Sequence, residues 1–190
     1  SDARGPRALS AWDTAGMSVI EAVRGDLTVQ RADALVNAAN STLLGGGGVD
    51  GALHAAAGPE LLEACRQVRR TQYRDGLPVG EAVATEAGRL PARWVIHTVG
   101  PNRHRGQDDE ALLAACYARS LDVATELGAH SIAFPAIGAG AYGWDRVTAA
   151  RVAVRAVAGH PRVGIQRVSF VLFNEPLLDA FRAELEGLQQ

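Results

Sequence analysis

The chain has 190 residues, 47% of them hydrophobic, which supports one domain with a sizeable core. Its formal net charge of −2 leaves no basic field that would recruit nucleic acid or an anionic membrane. The sequence contains no lysine, which excludes a Schiff-base lysine and a Walker-type phosphate loop.

The cysteine content and the hydropathy of the sequence indicate the cellular compartment of the protein. Cys65 and Cys116 lack Cys-x-x-Cys spacing, so we expect two small core residues in a reducing compartment. No apolar run approaches the roughly 20 residues needed to cross a bilayer. The first residues also lack the layout of a signal peptide. The sequence therefore predicts a soluble, cytoplasmic protein that does not associate with membranes.

Strands and helices alternate along most of the chain. Residues 1–16 show no hydrophobic period and are expected to form a flexible lead-in to a single domain over residues 17–190. The predicted strands lie within residues 17–28, 32–40, 81–88, 93–100, 130–137 and 168–173. The predicted helices lie within residues 49–58, 59–70, 108–128, 144–159 and 176–190. This order, with several almost continuously apolar strands, predicts an α/β fold whose mostly parallel sheet is covered on both faces.

Two glycine-rich loops follow predicted strands. Residues 45–48 are four consecutive glycines, and residues 138–143 contain three more. Because ligands of parallel α/β sheets bind beyond the carboxyl ends of the strands, both loops are expected at one edge of the sheet. Backbone N–H groups in such a turn, followed by a helix N-terminus, can bind an anion without lysine. We interpret the loops as two sides of a diphosphate site, with ordinary tight turns as the alternative.

The second loop has the G-x-G-x-x-G spacing of a dinucleotide-binding Rossmann fold, through Gly138, Gly140 and Gly143. That fold also uses an acidic residue about 20 positions further on to hold a ribose. Residues 156–174 contain no acidic residue, and the motif lies late in the chain rather than in the first βα turn. A Rossmann site is therefore excluded.

One segment carries a specific family resemblance. Residues 37–59, NAANSTLLGGGGVDGALHAAAGP, resemble the signature of the macrodomain family in its MacroD-like branch. Three further segments match in order, at residues 25–28, 94–101 and 133–143, so the resemblance extends over residues 17–188. It implies a three-layer α/β/α domain, with a mixed, mostly parallel sheet, that binds ADP-ribose. MacroD-like members remove mono-ADP-ribose from acidic side chains and deacetylate O-acetyl-ADP-ribose.

The resemblance assigns three residues to the adenine end of the ligand. Asp26 would accept a hydrogen bond from the adenine amino group, which suits a carboxylate, and Leu27 would adjoin it. Phe173 would lie against the adenine ring. The sequence alone favours a turn aspartate for Asp26 and a core aromatic residue for Phe173.

The same resemblance assigns the distal ribose and the diphosphate. Asn40 would orient the ribose through its amide, and Asn37 would support the loop by binding backbone, which is also the alternative for Asn40. Related proteins often carry Ser-Thr at residues 138–139, so this chain lacks two hydroxyls there. Tyr142 would pack over the ribose or, alternatively, anchor the loop. The remaining predicted ligand-binding residues are Gly46, Gly47, Gly48, Val49, Ile137, Gly138, Ala139, Gly140 and Ala141.

Asp50 lies two positions after the last of the four glycines, and its role decides between the possible functions. The resemblance makes Asp50 and Asn40 the catalytic residues, with Asp50 acting on the water beside the distal ribose. The sequence alone also allows Asp50 to be a helix N-cap. His54, four residues further on, lies on the same helix face and is expected to support Asp50.

The predicted function is that of a monomeric hydrolase that removes mono-ADP-ribose from proteins without metal or organic cofactor. The main alternative is a reader that binds ADP-ribose without cleaving it, although a reader would not need Asp50. A phosphohydrolase acting on the diphosphate would use clustered acidic metal ligands, which the glycine loops do not supply. Strong nucleic-acid binding is not expected, but ADP-ribosylated nucleic-acid ends remain open as substrates.

Overall fold

A central β-sheet organises the protein. The computed structural model describes residues 9–12 and 18–190. The strands of this part of the chain are β1 (Leu9–Trp12), β2 (Val19–Arg24), β3 (Ala34–Ala39), β4 (Ala82–Glu86), β5 (Trp94–Val99), β6 (Ser131–Phe134) and β7 (Arg167–Leu172). They form one sheet in the order β1-β2-β7-β6-β3-β5-β4.

The sheet is mixed and mostly parallel, as predicted. The five inner strands, from β2 to β5 in the sheet order, pair in parallel. The edge strands β1 and β4 pair antiparallel with their neighbours. In β3, the consecutive residues Leu35 and Val36 point to opposite faces of the sheet, and both are fully buried. Burial on both faces explains why the inner strands are almost continuously apolar.

Five helices cover the two faces of the sheet. They are α1 (Gly48–Ala57), α2 (Pro59–Thr71), α3 (Glu110–Leu127), α4 (Arg146–Gly159) and α5 (Glu175–Gly187). Leu35 packs in a core cluster with Leu53 of α1 and Leu61 of α2. Val36 packs in a larger cluster with residues of α3, α4 and α5. The predicted three-layer α/β/α architecture is therefore confirmed, with two helices on one face and three on the other.

The sequence analysis missed β1. The prediction of a flexible lead-in over residues 1–16 is wrong at Leu9–Trp12, which pairs with β2 from Leu9↔Ala22 to Trp12↔Val19. Four residues of an edge strand are too few to show a hydrophobic period, so only pairing with β2 reveals the strand. The rest of the predicted lead-in lies outside the described residues.

Two predictions from composition bear on the core and on membranes. Cys65 and Cys116 are buried and unpaired, as predicted for small core residues. Over the described ranges, none of the helices combines the length and the apolar character that spanning a bilayer requires.

Tyr117 of α3 connects the core to the second glycine loop. Its ring is fully buried against Phe134 and Phe170. Its hydroxyl accepts a hydrogen bond from the Ile137 backbone N–H at 3.0 Å and lies 3.5 Å from the Pro135 carbonyl oxygen. Burial raises the pKa of this phenol, so the hydroxyl stays neutral. The start of residues 138–143 is therefore held from below by a single core side chain.

Tyr117→Phe should lower the free energy of unfolding by about 1–3 kcal/mol, because it leaves the buried Ile137 N–H without its acceptor. Urea unfolding measures this change. Tyr73→Phe removes a hydroxyl from a half-buried tyrosine beside α2 and should change stability by about 0.5 kcal/mol or less. Equal effects of the two substitutions would show that the Tyr117 hydroxyl does not hold the loop.

Candidate functional site

A cavity of about 770 Å³ lies at the carboxyl edge of the parallel strands. Residues that directly follow four of the strands line it, namely Gly25 after β2, Gly100 after β5, Pro135 after β6 and Phe173 after β7. The end of β3 and the start of α1 complete the wall. This is where parallel α/β sheets bind ligands, and the volume suits a nucleotide-sized molecule.

The cavity brings together nearly all the predicted site residues. Ala139 does not line it and packs instead against the core cluster beneath the second loop. The predicted residues that do line the cavity are Asp26, Leu27, Asn40, Gly46, Gly47, Gly48, Val49, Asp50, Ile137, Gly138, Gly140, Ala141, Tyr142 and Phe173.

The first glycine loop ends in a helix N-terminus without a side-chain cap. Gly47 is the N-cap residue of α1 and has no side chain to accept from the first turn. By contrast, the carboxylates of Asp109 and Asp145 cap α3 and α4. The first backbone N–H groups of α1 therefore remain for a ligand, and together with the helix dipole they favour an anion.

The second glycine loop differs from the first in the N–H groups that it leaves without a partner. Because Asp145 accepts from the Thr148 N–H and caps α4, the expected helix N-terminus at this loop is already occupied. Within the described residues, the loop's own hydrogen bonds use the N–H groups of residues 139, 143 and 144. Those of residues 138 and 140–142 are left for a ligand, so the loop itself must provide the donors.

Two glycines of these loops have no structural requirement for glycine. Gly47 and Gly140 lack a positive φ, and a Cβ added to either would meet no atom within 4 Å. Gly138 differs, because its φ is +82° and a Cβ there would lie 2.6 Å from Trp144 Cδ1. The Trp144 ring thus accounts for glycine at 138, whereas bare backbone at 47 and 140 leaves room in the cavity.

The structure gives different outcomes for Asp26 and Phe173, the two residues predicted to contact adenine. Asp26 Oδ1 accepts from the Thr28 N–H and hydroxyl, so the turn role of this aspartate is real. Asp26 also lines the cavity, so an adenine contact stays a prediction. Phe173 is 64% exposed, which makes the core alternative wrong. It lies just after β7, with its surface free for a ligand.

Asn40 supports the loop on which it lies through its side chain. The Asn40 amide donates to the Gly45 carbonyl at 3.0 Å, and its oxygen accepts from the Thr42 N–H. Tyr142 is half-buried against the large core cluster, and its main-chain carbonyl accepts from the Arg103 N–H at 2.9 Å. The second bond is one that any residue could make, so the anchoring role of the Tyr142 side chain stays a prediction. Because both also line the cavity, their contacts with a ribose stay predictions.

Asp50 is a buried carboxylate on the cavity wall. It is the third residue of α1 rather than its N-cap, so the capping alternative is wrong. Only 4% of the residue is exposed. Its Oδ1 accepts from Asn37 Nδ2 at 2.8 Å and lies 3.4 Å from His54 Nε2. A Cβ added to Gly46 would lie 3.1 Å from Oδ2, which places this oxygen at the glycine loop.

Asn37 is tied to a buried histidine that the sequence analysis missed. The prediction that Asn37 supports the loop through backbone is wrong, because its amide binds Asp50 Oδ1 and, at 3.1 Å, His97 Nδ1. Burial, with a smaller contribution from His54, lowers the pKa of His97 to about 3. His97 is therefore a neutral hydrogen-bonding group. A histidine in an almost wholly apolar strand was the available signal.

The described residues contain no cluster of metal ligands, and the thiol beneath the cavity is not a reactive one. In residues 9–12 and 18–190, no group of three or more His, Cys, Asp and Glu side chains is placed to hold a metal ion. Cys65 lies under the site with Sγ 3.6 Å from His97 Nε2. Burial, and then the Asp50 charge, raise the pKa of this thiol to about 12, so it is not a reactive thiolate.

The fold and the cavity define a three-layer α/β domain that presents backbone amides and one buried carboxylate to a nucleotide-sized ligand. Comparison with known proteins names the family. The macro domain model matches residues 36–153, and the chain belongs to the macrodomain family. This confirms the predicted resemblance.

Its relatives include proteins with and without a named activity. It is 58% identical over 156 residues to a macro domain-containing protein of Streptomyces griseus, covering 82% of this chain and 88% of that protein. It is 52% identical over 161 residues to the O-acetyl-ADP-ribose deacetylase of Citrobacter rodentium, covering 83% and 90%. These relatives are consistent with the MacroD-like branch.

Solved macrodomains have the same fold. An Oceanobacillus iheyensis macrodomain with ADP matches with a TM-score of 0.88 and 38% identity, covering 97% of this chain and 98% of that one. A Trypanosoma brucei macrodomain in complex with ADP-ribose matches with a TM-score of 0.77 and 36% identity, covering 86% and 68%.

The neutral state of buried His97 predicts a pH dependence of stability. Between its ordinary pKa of 6.5 and its folded pKa of about 3, the unfolded chain binds one proton more than the folded chain. The contribution of His97 is thus fully present above pH 6.5 and is lost as the pH falls through this range. The largest slope for one group is about 1.4 kcal/mol per pH unit.

Urea unfolding of the wild type and of His97→Asn between pH 7 and pH 4 tests this. Asparagine does not titrate, so the stability difference between the two proteins should shrink as the pH falls. Parallel stability curves would show that burial does not lower the pKa of His97.

Proposed function

We propose that this chain binds ADP-ribose across the cavity and hydrolyses acyl esters of its distal ribose. The substrates we propose are O-acetyl-ADP-ribose and mono-ADP-ribose attached to acidic side chains of proteins. Relatives about half identical in sequence bear the name O-acetyl-ADP-ribose deacetylase. The observation that carries the proposal is a buried carboxylate, Asp50, beside bare glycine backbone in a cavity of nucleotide size.

In this proposal, the adenine lies between Asp26 and Phe173. Asp26 Oδ1 is used within its own turn, so the exocyclic amino group would donate to Oδ2. The exposed face of Phe173 would stack on the base. The diphosphate lies between residues 45–48 and residues 138–143, where N–H groups of both loops point to no protein acceptor among the described residues.

The distal ribose then reaches Asp50. We propose that Asp50 Oδ2 takes a proton from a water molecule, which attacks either the ester carbonyl carbon or the anomeric carbon. Attack at the carbonyl carbon breaks the bond between that carbon and the ribose oxygen, which leaves with the proton from Asp50. Attack at the anomeric carbon, open only to a ribose linked there, breaks the bond between that carbon and the acceptor carboxylate, and Asp50 then releases its proton to water. The products are free ADP-ribose and acetate or the acceptor carboxylate. No redox step and no second substrate are needed. Without metal or organic cofactor, backbone dipoles and Asp50 supply the polar chemistry.

The competing proposal is a reader that binds ADP-ribose without turnover. Asp50 argues against it, because a buried carboxylate beside a bound diphosphate weakens binding unless it has another use. Cytoplasmic location, a monomeric state and protein-linked substrates stay predictions.

Gly140→Glu should abolish ADP-ribose binding while leaving the fold intact. A Cβ added at Gly140 meets no protein atom within 4 Å, and the glutamate carries a negative charge into the proposed diphosphate position. Gly159→Glu is a matched control, because Gly159 also has open space and no positive φ but ends α4 away from the cavity. Isothermal titration with ADP-ribose in EDTA compares them. Equal affinity of both variants would remove residues 138–143 from the diphosphate site.

Asp50→Asn should slow hydrolysis by about 10²–10⁴-fold, the range that a general base contributes. The amide can still accept from Asn37, so the local structure and ADP-ribose affinity should persist. The assay follows free ADP-ribose released from O-acetyl-ADP-ribose and from a glutamate-modified protein.

Asp109→Ala serves as the matched control for Asp50. Asp109 caps α3, so its loss should reduce stability by about 1 kcal/mol and leave turnover unchanged. A wild-type protein that binds ADP-ribose but hydrolyses neither substrate would favour the reader. An Asp50→Asn variant with full activity would remove Asp50 from the chemistry.

A further inference from the structure

We propose that His97 is a positioning residue for Asp50, acting through Asn37 from beneath the sheet edge. This rests on the proposed hydrolase function and adds to it a residue that touches neither the cavity nor the ligand. His97 is fully buried in β5, and it is absent from the cavity wall. His97 is connected to Asp50 by a chain of hydrogen bonds through Asn37.

The sheet register brings this chain together. β3 and β5 pair in parallel with Asn37 opposite His97, so the two side chains are neighbours on one face. β5 pairs with β4 on its other side, and Thr85 Oγ1 lies 2.9 Å from His97 Nε2. Thr85 in turn donates to the Glu86 carbonyl at 3.0 Å. The chain therefore starts at the main chain of β4 and ends at Asp50.

Hydrogen-bond directions within the chain are fixed by chemistry. Asp50 Oδ1 accepts, so Asn37 must direct its NH₂ group toward Asp50. The second proton of that group lies at His97 Nδ1, which must then be unprotonated. The proton of the neutral imidazole is consequently on Nε2 and is donated to Thr85 Oγ1, whose own proton goes to the Glu86 carbonyl. Every donor in this sequence has an acceptor.

The consequence for Asp50 is one orientation of its carboxylate. Asn37 binds Oδ1 from below, at 2.8 Å, which leaves Oδ2 directed toward Gly46 and the cavity. Without the acceptor at His97 Nδ1, the second proton of the Asn37 amide would be buried without a hydrogen-bond partner. Rotating the amide would satisfy that proton elsewhere but would withdraw the donor from Asp50. His97 thus keeps Asn37 pointed at the carboxylate.

A purely structural role for these residues explains the arrangement less well. Three polar side chains, Asn37, Thr85 and His97, are buried in the layer between the sheet and α1–α2, where apolar residues would pack without hydrogen-bond partners. Asn37 Oδ1 is itself buried with no hydrogen-bond partner among the described residues. An amide with an unsatisfied oxygen is poorly suited to stabilising a core, but it is suited to presenting two N–H groups to Asp50 and His97.

Two substitutions of His97 test the roles of its two ring nitrogens, Nδ1 and Nε2, separately. In His97→Asn the amide oxygen takes the place of Nδ1, so the acceptor for Asn37 is kept and the contact with Thr85 is lost. In His97→Gln the amide reaches the position of Nε2, so the contact with Thr85 is kept and the acceptor for Asn37 is lost. We expect kcat to fall at least about tenfold in His97→Gln and about twofold in His97→Asn, with ADP-ribose affinity unchanged in both.

Thr98→Val is the matched control, because Thr98 is the next buried polar residue of β5, lies on the opposite face and donates to the Glu81 carbonyl. It should lose stability without a change in kcat. Melting temperatures are measured for all variants. If His97→Gln does not fold, Thr85→Val replaces it. In Thr85→Val the His97 ring loses the acceptor that fixes its orientation. We then expect kcat to fall several-fold relative to Thr98→Val.

The outcomes are distinct. The positioning role is supported if the wild type hydrolyses the substrate with the highest kcat, His97→Asn has a lower kcat and His97→Gln has the lowest. Equal kcat in both His97 variants, or a loss of kcat that follows melting temperature and includes Thr98→Val, overturns it and leaves the proposed function standing. A wild-type protein without hydrolase activity overturns the proposed function, and the role of His97 with it.

Discussion

The parallel pairing of β3 with both β5 and β6 is the constraint on which the site depends. Because the three strands run in one direction, their carboxyl ends meet at one edge, and each is followed by glycine-containing chain. The first glycine loop follows β3, Gly100 follows β5, and the second loop comes after β6. One topological feature thus converts three separate segments of sequence into a single cavity.

The two glycine loops differ in the backbone N–H groups that they leave for a ligand, although their sequences look alike. The first passes into α1 without a side-chain cap, so a helix N-terminus is open to the cavity. The second is followed by Asp145, which caps α4, and it is held from below by Tyr117. Because the residues that line the cavity include neither lysine nor arginine, a bound diphosphate would be held by dipoles in fixed directions rather than by mobile charges. Such a site selects for shape more than for charge.

Local sequence patterns were sufficient for the α/β class and for placing both glycine loops at one edge of the sheet, because strand hydrophobicity and turn glycines act over a few residues. The macrodomain resemblance, not these patterns, assigned the individual residues of the cavity wall. Local patterns were insufficient where the outcome depends on pairing across the sheet. The contact of Asn37 with His97 requires the register of two strands 60 residues apart in sequence. Likewise, the exposure of Phe173 follows from β7 ending at Leu172, and the Trp144 ring that requires glycine at 138 is a tertiary contact.

The buried layer beneath Asp50 is joined to the cavity wall by hydrogen bonds. Close packing restricts rotamers by shape, whereas a hydrogen bond also selects which polar atom faces its partner. Hydrogen bonds have direction, and the chain from Asn37 through His97 to Thr85 transfers the rigidity of β4 and β5 to one oxygen of Asp50. The other oxygen remains at the glycine loop. Burying polar groups lowers stability relative to an apolar layer, and the proposed catalytic role of Asp50 would give that arrangement a reason.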